Sequence, residues 1–253
     1  MTVTLEQIKS LRDKTGISAT ACKKALTEAN GDEALALELL RKKGEAKAAE
    51  RSDRSTANGV VRIATEGSKV AVLAVGCETD FVAINEEFVA RIDELTKKVL
   101  DGGEATDLSK DISDLNIQMG EKIEIKGQRV LEAATVGSYV HQNNKIGVVI
   151  AIDGSDSATA NDIAMHIAAM NPANTSPDEV DDALVAKEKE IWTEQLASEG
   201  KPENIMAMIM EGKEKKFREE SSLLTQPFVK NPEQKIQDLL GGSKVVDFVR
   251  FSV

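Results

Sequence analysis

The chain has 253 residues, 41% hydrophobic but only 3% aromatic, so its cores must be built from Ala, Val, Leu and Ile. A formal net charge of -11 and a pI of about 4.9 argue against a general nucleic-acid binder, which needs a basic footprint to neutralise phosphates, and against electrostatic docking on anionic membranes. No segment approaches the roughly 20 apolar residues of a membrane span, and Met1–Leu5 has neither the basic nor the apolar region of a secretory signal.

The first 44 residues read as three short helices. Thr4 and Gln7 have capping-box spacing ahead of Leu5, Ile8 and Leu11. Thr15-Gly16 breaks that helix, and Ala21, Cys22, Ala25, Leu26 and Ala29 form the next stripe, ended by Asn30-Gly31. Asp32 caps a third helix carrying Leu35, Leu39 and Leu40, with Gly44 as its expected end. Residues 45–58 are polar and charged and read as a linker with some helical propensity.

The pattern then changes to strands. Val60–Ile63 and Val70–Val75 flank the turn Glu66-Gly67-Ser68. Thr79 to Ile84 reads as a loop, after which Asn85 caps a helix with Phe88, Val89, Ile92, Leu95 and Val99 on one face. Ile123–Ile125 and Val130-Leu131 give a third strand, bulged near Gly127. The order recurs: Tyr139–His141 and Ile146–Ile152 form a hairpin turning at Asn143-Asn144, a helix carries Ile163, Ile167 and Met170, and a last strand spans Val245 to Val253. Two ββα…β units follow from element order rather than from residue identity.

A helical insertion interrupts the second unit. Ser176-Pro177-Asp178-Glu179 has an N-cap, a first-turn proline and a capping-box Glu. Val180, Leu184, Ile191 and Trp192 lie along the helix it is expected to open, and Ser198–Pro202 turns the chain. Ile205, Met206, Ile209 and Phe217 return, giving an antiparallel helical hairpin. Asn231-Pro232-Glu233-Gln234 repeats the capping signature before a short helix ending at Gly241-Gly242.

No strong catalytic or cofactor motif is present: the chain lacks a phosphate loop ending in Gly-Lys-Ser/Thr and a dinucleotide fingerprint. Cys22 and Cys77 form neither a metal-type pair nor a disulfide framework, and two reduced thiols in a cytoplasmic protein account for them most simply. No cofactor or metal is expected. His166, His141 and Asp80 are the one conceivable acid/base set, but His166 lies between Met165 and Ile167 on an apolar helix, which favours a buried, satisfied ring. Thr79-Asp80-Phe81-Val82 joins a buried-looking strand to a capped helix, and such connections often carry function. Residue type alone favours Phe81 folding into the local core, with an outward aromatic anchor as the alternative.

Gly76-Cys77-Glu78-Thr79-Asp80-Phe81-Val82-Ala83 resembles a signature of the elongation factor Ts family. So do Thr15-Gly16 with Cys22-Lys23-Lys24-Ala25-Leu26 and Asn30-Gly31-Asp32, Gly137–His141, Ile163–Ala168, Gln226–Val229 and the end Val249–Val253. The resemblance spans nearly the whole chain in order. It implies an α+β fold with an N-terminal three-helix module like a ubiquitin-associated domain (1–44), a linker (45–58) and a first core subdomain (59–136). A second core subdomain (137–175 and 225–253) and an inserted coiled-coil hairpin (176–224) complete it.

The resemblance also implies the work done: binding elongation factor Tu and speeding GDP release during translation elongation, with no enzyme chemistry. It implies that Asp80 and Phe81 enter the GTPase domain near its magnesium, that Thr79 and Val82 hold the tip, and that His141 supports the same contact. The three-helix module and the hairpin would add contacts, and the hairpin allows self-association. A docking scaffold without exchange activity is the competing reading. Many members carry bulky apolar residues where this chain has Ala19-Thr20, so a smaller contact from the module is expected. Some members continue into a C-terminal helical module; with Val253 last, no contact from such an element is expected.

Overall fold

The computed structural model describes residues 3–198 and 202–253. Thr4 caps α1 (Leu5–Thr15) through the expected reciprocal box with Gln7, and Gly16 ends it in the left-handed conformation at φ 64. Ser18 caps α2 (Ala19–Glu28), and Asp32 caps α3 (Glu33–Ala49) by accepting from the Leu35 N–H. Leu11, Cys22, Ala25, Leu26, Ala36 and Leu40 form the small core between the three helices. Leu35, expected in that stripe, is exposed, and Ala36 takes its place inside.

The third helix does not end at Gly44. It continues to Ala49, so the expected linker begins as helix. Gly44 serves a close approach instead: a Cβ there would lie 2.5 Å from Ile117. Ile117 belongs to the helix Ser109–Met119, which has no counterpart among the elements expected from the sequence pattern.

β1 (Asn58–Glu66) and β2 (Lys69–Cys77) pair antiparallel across Gly67-Ser68. A single helical turn, α4 (Asp80–Ala83), stands where a loop was expected. Asn85 then caps α5 (Glu86–Gly102), which buries Phe88, Ile92, Leu95 and Val99 as anticipated. α6 (Ser109–Met119) is the unanticipated helix; Leu108, at its N-cap, makes no side-chain cap bond, so the usual start signal is missing. β3 (Ile123–Glu132) pairs antiparallel with the free edge of β2. The ladder steps from Ala74–Gly127 to Val75–Ile125, leaving Lys126 as the extra residue of the expected bulge.

β4 (Thr135–Val140) and β5 (Ile146–Asp153) form the second hairpin, followed by α7 (Ser157–Met170) capped by Asp156. Ser176–Glu179 departs from expectation. It forms only a 3₁₀ turn over Pro177–Glu179, braced by the Glu179 carboxylate, which accepts from the Thr175 N–H and the Ser176 hydroxyl, and the chain is extended again at buried Val180.

α8 (Asp182–Ser198) starts after that break and runs beside α9 (Glu203–Glu220). Its inward residues are Val185, Trp192 and Leu196, not Leu184 and Ile191, which are exposed. The Trp192 ring packs edge-on against Phe217 with centroids 5.8 Å apart, and that contact sets the helix's rotation. The expected turn between them falls partly on 199–201, outside the described residues. The legs of the insertion close where the Leu223 N–H donates to the Asn174 carbonyl and the Leu224 N–H to the Thr175 carbonyl.

β6 (Pro227–Phe228) pairs with β7 (Asn231–Lys235), so Asn231–Gln234 is strand rather than a helix cap. The return strand is needed because Phe228 and Ile236 both enter the core beneath α7, and the Ile236 N–H reaches back to the Gln226 carbonyl. α10 (Ile236–Leu240) follows, and β8 (Lys244–Ser252) completes the order β4-β5-β8 beside the first sheet's β1-β2-β3.

Alternation in the two middle strands places the layers. Ala71, Leu73 and Val75 of β2 face α5, while Val70, Val72 and Ala74 face the other sheet. Val148, Ile150 and Ile152 of β5 face α7, while Val149 and Ala151 meet the first sheet. The core is therefore helix, sheet, sheet, helix.

The Gly44 contact reverses a familiar substitution. In an open helix, Gly→Ala stabilises by about 1 kcal/mol. Here Gly44→Ala is expected to lower the thermal unfolding midpoint, because overpacking costs about 1–3 kcal/mol. Adding Ile117→Ala should make the glycine replacement stabilising, as calorimetry of the four proteins in that cycle would read.

Candidate functional site

The ladder of β2 and β3 ends at Cys77–Ile123. Beyond it the two strands exchange carboxylates instead of backbone groups. Glu121 Oε2 accepts from the Glu78 N–H at 3.1 Å and the Thr79 N–H at 3.0 Å, and its Oε1 accepts from the Thr79 hydroxyl at 2.5 Å. In return Glu78 Oε1 accepts from the Lys122 N–H at 2.6 Å, and its Oε2 from Arg54 at 3.0 Å. Burial pushes the Glu78 carboxyl up, but the Lys122 N–H and the Arg54 guanidinium outweigh it and hold the group below its ordinary range.

This clamp sets the start of α4. The Thr79 hydroxyl accepts from the Val82 N–H at 3.4 Å while donating to Glu121. The Cys77 thiol donates to the Thr79 carbonyl at 3.2 Å, and burial pushes that thiol up to about 11, so it stays protonated. On the resulting turn Ala83 points into the core and Val82 packs against it. Asp80 is exposed and Phe81 is 78% exposed. Of the two orientations open from sequence, the structure has Phe81 outward.

His141 lies just beyond β4, exposed, with Nδ1 3.1 Å from the Tyr139 hydroxyl. Its turn is fastened to the first sheet. The Val61 N–H donates to the Asn144 carbonyl at 2.7 Å, and Arg62 reaches the Asn144 side chain while gripping Asp93 with two bonds. Lys145 donates to Asn58, whose amide in turn donates to the Glu78 carbonyl at 3.1 Å. A continuous chain of contacts thus links the His141 turn to the base of the Thr79–Val82 tip.

His166 is not part of this arrangement. It is fully buried; its Nε2 lies 2.9 Å from the Gln226 side-chain oxygen and its Nδ1 accepts from the Val229 N–H. Both nitrogens are occupied in a neutral ring, and burial lowers its pKa below the ordinary 6.5 despite Gln226. A proton on Nδ1 would break the Val229 bond, and the hydrogen bonds of His166 go to Gln226 and Val229 rather than to Asp80 or His141. Among the described residues no cluster of three or more His, Cys, Asp or Glu could hold a metal ion.

Sequence reasoning missed Glu121, Asn58 and Arg62. Glu121 carried one usable signal, its place two residues before the strand that partners Cys77. A family model described as Elongation factor TS matches residues 78–253, from the first residue of the carboxylate exchange to the end of the sequence.

Glu121→Ala removes the acceptor of two N–H groups and one hydroxyl, at an expected cost of about 1–3 kcal/mol. Amide hydrogen exchange should speed up at Thr79–Val82 while protection in α7 is retained. The neutral His166 predicts a pH effect of defined sign. The unfolded ring binds a proton below about 6.5 and the folded ring resists it. Stability is therefore full above pH 6.5 and falls as pH drops through the lowered folded value; denaturant midpoints at pH 7.5 and 5.5 should show the fall, and His166→Gln should reduce it.

Proposed function

The chain belongs to the elongation factor Ts family, and from that premise we propose that Thr79–Val82 is the element with which it opens the nucleotide site of elongation factor Tu. Membership implies a nucleotide-exchange role towards elongation factor Tu in translation elongation. The observation that carries the finer reading is Phe81, a phenyl ring left 78% exposed on a turn clamped from behind by Glu121.

Magnesium and phosphate-loop backbone hold the GDP phosphates in a GTPase. A rigid apolar wedge with a carboxylate beside it displaces elements around that ion and weakens nucleotide binding. Asp80 supplies the carboxylate, Thr79 and Val82 keep the turn in shape, and His141 supports the contact from the second sheet. Linkage makes the effect reciprocal: nucleotide weakens binding of the exchange factor by the same factor, so incoming GTP expels it. In this reading the three-helix module and the α8–α9 hairpin add contacts to the same partner, without nucleic acid or membrane.

Burying one phenyl group contributes about 1.5–3 kcal/mol, equivalent to about 10- to 150-fold. Phe81→Ala is expected to slow stopped-flow release of labelled GDP by that factor with an unchanged thermal midpoint. Release at the parent rate refutes the wedge. Tight binding of the parent protein without faster release would leave a docking scaffold instead. Asp80→Ala should also slow release, and normal exchange and affinity would remove Asp80 from the site.

A further inference from the structure

Phe81 is not alone on its surface. Ile84 follows it by three residues, in right-handed helical conformation at the end of α4, and is 76% exposed. Residues three apart on a helical turn share a face, so the two large apolar side chains stand together. Single exposed apolar residues are common and need no explanation. A pair on one clamped turn is different, because neither side chain has an inward alternative.

The inward positions of the turn are already taken. Ala83 is 7% exposed and Val82 packs against the first core. The Ile84 N–H donates to the Asp80 carbonyl and the Asn85 N–H to the Val82 carbonyl, while the Asn85 side chain caps α5. Ile84 is thus fixed between two helical segments. Its β-branched side chain has few rotamers, so little entropy remains to be lost on contact. Exposed Asp80 precedes the pair, and exposed Glu86 and Glu87 follow it in the chain, so the charges flanking the pair are acidic.

We propose that Ile84 is a second contact residue of the exchange tip, forming with Phe81 one apolar prong. Its occupant is an apolar recess with a basic rim on the elongation factor Tu surface that receives Phe81. The inference rests on the reading of the tip given above and extends it from one side chain to two. Continuity with Phe81 selects this partner.

The test measures labelled GDP release from elongation factor Tu with the full chain and its Phe81→Ala, Ile84→Ala, Ile84→Leu and Ile84→Lys variants, alongside thermal midpoints. Ile84→Ala is expected to lose about 5- to 30-fold in exchange efficiency with an unchanged midpoint. Ile84→Leu should retain activity, and Ile84→Lys should lose more than Ile84→Ala, because a cation then meets the basic rim. Parent-like release by Ile84→Ala and Ile84→Lys, with Phe81→Ala impaired, overturns the prong and leaves the tip reading intact. Parent-like release by Phe81→Ala as well overturns both. A lowered midpoint that accounts for the Ile84→Ala loss would make Ile84 a structural residue and also overturn the proposal.

Discussion

Val61, Val70, Val72 and Ala74 from one sheet are buried against Val149 and Ala151 from the other. That burial ties together two units that each carry a helix on the outer face. It demands that β2 and β5 be apolar on both sides, and both are. It also requires close approach. A Cβ on Gly127 would meet the Phe251 ring, and one on Gly147 would meet Val61. Because β1 as well as β2 packs on β5, the turn after β4 falls against β1, and the Val61–Asn144 and Arg62–Asn144 bonds become possible.

The tip follows from the same constraint at the end of the first sheet. β2 leaves its ladder at Cys77, and the next two N–H groups lack strand partners. An unpaired buried N–H is costly, and the Glu121 carboxylate meets that need from outside the regular hydrogen-bond pattern. The turn is therefore set by its base rather than by its tip side chains. Phe81 and Ile84 are free to face solvent, which costs apolar hydration in the isolated protein.

Local signals in the sequence hold where one physical effect dominates. The Thr4–Gln7 box, the Asn85 cap, the Gly67-Ser68 turn and the bulge beside Gly127 all formed. They failed where two effects competed. Gly44 resembled a helix end but marks a helix crossing against Ile117. Asn231–Gln234 had the residues of a cap, yet burial of Phe228 and Ile236 drew the segment out as strand. On α8 Trp192 packs inward against Phe217 as expected, while Val185 takes the inward place expected of Leu184, and Ile191 is exposed. Helix α6 lacked a cap signal, although its apolar spacing was present.

The sequence by itself determined the α+β class, the repeated order of strands and helices and the family resemblance. These depend on periodicity, caps and short motifs, which act over a few residues. Only the tertiary structure decided that Phe81 faces outward, that Ile84 stands beside it, that Glu121 holds the turn and that His166 is a buried structural ring. Each of those depends on groups distant in the chain: Glu121 is brought to Thr79 by strand pairing, and Gln226 to His166 by the return of the chain after the hairpin. Whether a side chain is inside or outside depends on what else fills the core, and on the turn of α4 the inward places went to Val82 and Ala83.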